Sequence, residues 1–144
     1  MQKQLCLLVF VLTFAAPLYG QHILDGRWEG IVTQNEGGYR EKYDIVMELK
    51  VEGTRVTGRS YCWVDDIYVD MSIEGELLEG KFLKIEDLKI LDSKVVDNLQ
   101  WCMKDYQLIY KKSTDALDGF WQGVTAFGPC IPGKVHLRRK KAKT

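Results

Sequence analysis

The chain is short of the residue types that most often reveal chemistry. It has two histidines, His22 and His136, and no histidine or cysteine pair stands at the spacing that holds zinc, so no metal is expected. A nucleophile elbow, a phosphate loop and a dinucleotide fingerprint are all missing, which excludes the commonest motif-borne active sites and leaves no cofactor expected. Neither sign of charge dominates: 20 Lys+Arg balance 20 Asp+Glu. Nucleic acid is therefore not an expected partner, since it requires a concentrated basic face. The one basic run, Arg138-Arg139-Lys140-Lys141 with Lys143, lies at the extreme C-terminus and reads as a solvated tail. No apolar run reaches the roughly 20 residues of a membrane span, and no window carries a convincing helical period.

What is present begins with a segment unlike the rest. Lys3 supplies a positive start, Leu5 to Ala16 is apolar, and Pro17-Leu18-Tyr19-Gly20 ends on a small residue. This pattern predicts a cleaved secretory signal over residues 1–20 and a secreted or periplasmic single domain over 21–144. Cleavage removes one lysine and leaves 19 basic against 20 acidic residues.

The remaining chain reads as strand after strand. Tyr43, Ile45, Met47, Leu49 and Val51 alternate with Asp44, Glu48, Lys50 and Glu52, and Ile67, Val69, Met71 and Ile73 repeat the pattern against Tyr68, Asp70, Ser72 and Glu74. Turn signals at Gly37-Gly38, Gly53 and Gly80 separate such runs, and eight strands are predicted, beginning near residues 25, 39, 54, 67, 80, 100, 116 and 133. Short consecutive strands with tight connections point to an all-β, eight-stranded antiparallel up-and-down (meander) barrel, because closure removes exposed edges. Inward candidates are Trp28, Val32, Tyr43, Ile45, Met47 and Leu49 in the first half. Tyr106, Leu108, Tyr110, Trp121, Val135 and Leu137 follow in the second. In the fifth strand Leu83 and Ile85 fall on one phase and Leu88 and Ile90 on the other. A bulge at Glu86-Asp87 is expected to restore both pairs to the core and leave the carboxylates outside; without it Lys84 and Glu86 would point inward.

Leu24-Asp25-Gly26-Arg27-Trp28-Glu29-Gly30 recurs as Leu117-Asp118-Gly119-Phe120-Trp121-Gln122-Gly123. It holds no nucleophile or metal ligand and reads as a closure device, with Trp28 and Trp121 expected inward near the same level of the barrel. Gly26-x-Trp28, Gly119-x-Trp121 and Arg138 or Arg139 on the last strand resemble the calycin barrels, the group containing lipocalins and avidins. The chain is also similar to small uncharacterised secreted proteins of Gram-negative bacteria that share Trp101-Cys102, a later glycine-x-tryptophan, and Cys130-Ile131-Pro132-Gly133 before a basic last strand. The calycin resemblance implies binding of small apolar molecules or of protein partners. Other lipocalin motifs and any biotin-site sequence are missing, so the ligand class does not carry over.

In a meander, alternate connections share one rim. Residues 34–38, 64–66, 92–99 and 125–132 therefore gather at one mouth, opposite the tight turns, and long loops on a rigid scaffold are where binding residues usually sit. Three cysteines remain beyond residue 20. Cys102 starts the sixth strand and Cys130 lies in the seventh loop, two strands apart, so these two are predicted to form a disulfide, with Cys62 left single, either buried or open to another chain. Pairing of Cys62 with Cys102 is disfavoured because their strands lie far apart around a closed barrel.

Tyr61, Trp63 and Asp66 beside the third loop, with Phe127 in the seventh, are the candidate ligand contacts, since aromatic groups at a mouth can cover an apolar ligand. Asp65, Asp66, Asp92 and Asp97 could form an acidic rim, although solvated loops are the simpler reading. His136 alternates with Val135 and Leu137 and should face outward, as a surface histidine and not a general base. These features favour a binding or interaction module and not an enzyme. The alternatives are a small isomerase or hydrolase using rim carboxylates such as Asp66 and Glu86, or a subunit of a cell-surface assembly docking through its last strand and basic tail. A packed interior would favour a surface role, and an apolar cavity at the long-loop end a carrier.

Overall fold

Period-two alternation is realised as strand in every run where it occurs. The computed structural model describes residues 21–140, so the predicted signal segment lies outside the described residues. The strands are β1 (Gly26–Thr33), β2 (Lys42–Glu52), β3 (Arg55–Val64), β4 (Ile67–Leu78) and β5 (Phe82–Lys94). They continue as β6 (Met103–Lys111), β7 (Ala116–Thr125), β8 (Gly128–Pro129) and β9 (Gly133–Arg139). Sequence neighbours from β1 to β7 pair antiparallel, β7 pairs with β9, and β9 returns to β1, which closes an eight-stranded up-and-down barrel. β8 is the one addition, folding back on the end of β7 through Val124 opposite Pro129. Two residues, a glycine and a proline, carry too little pattern to be told from a turn.

All twelve predicted inward residues line the interior, ten of them buried and Tyr43 and Tyr110 half-buried against the core. Ile67, Val69, Met71 and Ile73 of β4 and Leu83 and Ile85 of β5 complete the wall. Strands coil tightly enough that neighbouring backbones touch at inward glycines. A Cβ on Gly30 would lie 1.8 Å from the His136 carbonyl oxygen, and one on its counterpart Gly123 would lie 2.6 Å from that of Met103. The second repeat position therefore makes room for the adjacent strand, as a close backbone approach demands.

The repeated tryptophans do not share a level. Trp28 stands opposite Arg139 at one end of β9 and Trp121 opposite Gly133 at the other. Trp28 accordingly closes the tight-turn end, where its Nε1 donates to the Leu24 carbonyl at 3.0 Å and Leu24 is fully buried. Trp121 sits at the long-loop mouth and donates to the Thr33 carbonyl at 2.7 Å. Parallel placement in sequence was offset by strand stagger: β1 and β7 both pair with β9, but in registers six residues apart.

The fifth strand departs from expectation as well. Pairing with β4 runs without a break through Glu86 and Asp87, and the bulges fall later, where Leu88 and Leu91 are skipped. Leu83, Ile85 and Asp87 therefore stay in one inward phase, with Asp87 only 9% exposed, while Lys84 and Glu86 face solvent. Leu88 and Ile90 remain on the surface. The cause is that β5 pairs with β6 only as far as Glu86 opposite Asp105; past Asp87 it continues on β4 alone, and every residue from Leu88 to Lys94 is exposed.

Candidate ligand site at the long-loop mouth

The mouth is built by three loops held to one another. Cys102 and Cys130 form a disulfide with Cα atoms 6.4 Å apart, tying the start of β6 to the seventh loop. Gln34 fastens the first loop to the seventh by donating to the Ile131 carbonyl at 3.0 Å while accepting the Tyr43 hydroxyl at 2.8 Å. Gln100 accepts the Ala126 amide at 3.0 Å, joining the fifth loop to the seventh. Trp101 donates its indole N–H to the Lys94 carbonyl at 3.1 Å and packs edge-on against Tyr43. The indole donors are thus satisfied by backbone, and the aromatic faces are left to line a cavity of about 250 Å³.

Val32, Tyr43, Ile67, Trp101 and Trp121 form apolar walls, and Phe127, 78% exposed, stands at the entrance. At the floor lies Lys104, which is 5% exposed. Its ammonium sits 5.8 Å from the Trp101 ring centroid and 5.6 Å from that of Trp121, and donates to the Cys102 carbonyl at 3.4 Å.

A polar layer continues beneath the floor. Asp87 accepts the Lys104 backbone N–H at 2.9 Å through one carboxylate oxygen and the Ser60 hydroxyl at 3.5 Å through the other. Burial raises the Asp87 pKa, with the Lys104 charge and these hydrogen bonds pulling it back. Burial also holds the Tyr106 phenol well above its ordinary range and pushes the Cys62 thiol up to about 11. Cys62 is buried and free, as one of its two expected states required. Neither Asp87 nor Lys104 was among the predicted site residues. Both were reachable, since Asp87 lies two residues beyond Ile85 and Lys104 two before Tyr106, each continuing an inward phase.

The four candidate contacts part company. Phe127 is at the mouth. Tyr61 and Trp63 lie on the outer wall, because Cys62 carries the inward phase of β3; their rings are 5.3 Å apart, and Tyr68 stacks on Tyr61 at 5.7 Å. Asp66, in the β3–β4 turn, pairs with Lys94 at 3.3 Å. Other rim carboxylates are likewise engaged: Asp65 meets Arg40 at 3.1 Å, and Asp92 accepts the Tyr68 hydroxyl at 3.1 Å. Among the described residues no group of three or more His, Cys, Asp or Glu side chains could hold a metal ion. His136 faces outward and bonds Asp118 at 2.9 Å, sharing that carboxylate with Lys111 and Arg138.

The fold defines a closed antiparallel meander barrel, compatible with the calycin architecture. The Arg139 guanidinium lies over the Trp28 ring, joining the last strand to the first. No family model, curated protein or solved structure matches the chain.

Proposed function

We propose that this protein is a secreted or periplasmic binding module whose long-loop mouth takes a small, largely apolar molecule. The observation that carries the reading is the asymmetry of the interior. Leu24, Trp28 and Val56 fill the tight-turn end, whereas the other end opens into a cavity of about 250 Å³ under disulfide-pinned loops. Concave, mostly apolar sites with a few convergent polar groups are the usual form of a small-molecule site. The disulfide and the absence of a membrane-spanning helix among the described residues are compatible with an extracellular or periplasmic setting. The calycin resemblance supports the same role.

An enzyme using Asp66 and Glu86 is the weaker reading, because the two carboxylates lie on different surfaces: Asp66 is paired at the rim and Glu86 is exposed on the barrel wall. Native mass spectrometry of protein purified from its own source tests the proposal. Retention of a small molecule supports it, and retention of a protein partner alone would favour the assembly reading.

A further inference from the structure

We infer that the mouth pocket is selective for small organic carboxylates, with Lys104 binding the charged end and the aromatic walls the remainder. This rests on the reading of the mouth as a ligand site and names the class of ligand it takes.

The first ground is the position of the lysine. An ammonium is seldom buried without a counter-charge or full hydrogen bonding, because losing water penalises the ion heavily. Lys104 is nevertheless 5% exposed, and it lies at the floor of a cavity that is otherwise mainly apolar. The second ground is its unfilled capacity. An ammonium carries three N–H donors, and the Cys102 carbonyl receives one at 3.4 Å. The flanking faces of Trp101 and Trp121 favour a cation there but accept no conventional hydrogen bond.

The third ground is that the nearest buried carboxylate is committed elsewhere. Asp87 directs one oxygen at the Lys104 backbone N–H and the other at Ser60 and makes no ion pair with the ammonium; the Lys104 charge favours its ionised form, but burial is the larger effect and opposes it. The ammonium is therefore only partly compensated from within the protein. A carboxylate entering from the mouth completes its shell in a water-poor setting, where charge-assisted hydrogen bonds are strongest. A single point charge, without an arginine fork or a cluster of backbone donors, suits a monoanion better than a phosphate. Size narrows the class further: about 250 Å³ falls below the roughly 300 to 1,000 Å³ of drug-sized sites. One aromatic ring or a short acyl chain attached to the carboxylate fits that space.

The test is a titration of the intact protein with benzoate, 3-phenylpropionate and hexanoate, each against its neutral primary amide, followed by calorimetry and by the fluorescence of Trp101 and Trp121. At least one carboxylate should bind roughly tenfold or more tightly than its amide, the size expected for a charge-assisted contact. Lys104→Met should remove that preference while leaving amide binding in place. Equal affinity for acid and amide in the wild-type protein would overturn the role of Lys104 yet leave the pocket as an apolar site. Failure of every acid and amide to bind would overturn the reading of the mouth itself. The wild-type comparison decides the matter even if the variant does not fold.

Discussion

The Arg139 guanidinium lies 4.3 Å from the centre of the Trp28 ring and bridges three segments of the tight-turn end. It donates to the Asp25 carbonyl at 2.7 Å, to the Ile23 carbonyl, and to the Asp115 carboxylate at 3.0 Å. One side chain on the last strand thereby holds the segment leading into β1 and the turn before β7 together. Arg139→Met keeps the aliphatic stem and deletes these contacts, and should lower stability by about 2 to 4 kcal/mol. For a domain of this size that corresponds to a fall on the order of 10 °C in the thermal midpoint. A change within the error of a calorimetric scan would show that the latch contributes nothing.

The disulfide offers a second prediction. Its two cysteines are 28 residues apart in sequence, for which loop-closure entropy gives about 3 to 4 kcal/mol. Replacing Cys102 and Cys130 together with serine should reduce the denaturation midpoint accordingly. It should also weaken ligand binding more than Arg139→Met does, because the bridge pins the mouth and the arginine the far end. Equal effects on binding would contradict that division of labour.

Asp87 predicts a pH dependence with a defined sign. Burial holds its carboxyl above the ordinary range, so the folded protein keeps this proton more tightly than the unfolded chain. The stability that the group contributes is present below the unfolded value of about 4 and is lost as pH rises through the raised folded value. Asp87→Asn does not titrate there. The midpoint of the variant, relative to wild type, should therefore rise as pH increases above about 4. A difference that stayed constant or fell over that range would contradict the assignment.

Cys62 should be chemically silent in the native state. It is 2% exposed, and burial pushes its thiol up to about 11, so very little thiolate forms near neutrality. Iodoacetamide should label it only after denaturation, as read by intact mass. Rapid stoichiometric labelling of native protein would show that the interior opens readily.

Much of this fold was legible from alternation alone, and the exceptions have a common physical origin. β4 and, apart from Val46, β2 place their inward apolar residues on a period of two, so their faces were assigned correctly, and meander connectivity brought Cys102 and Cys130 to one rim. Alternation read through apolar residues stops at the first inward charge, however. Asp87 and Lys104 hold inward positions on β5 and β6, and an ion inside a barrel breaks the very pattern used to find the interior. The same limit displaced the expected bulge, since Leu88 and Ile90 were assumed to need a core that β5 has already left. Tyr61 and Trp63 were placed near the mouth by their proximity to a loop, whereas the phase set by Cys62 turns both rings outward.

The most direct test of a ligand site at the mouth is an amide chemical-shift titration of isotope-labelled protein with 3-phenylpropionate. Shifts should concentrate on Gln100, Trp101, Lys104, Trp121, Phe127 and Ile131, which surround the cavity. Shifts confined to Tyr61, Trp63 and Tyr68 on the outer wall would contradict the assignment, as would a spectrum unmoved at millimolar ligand.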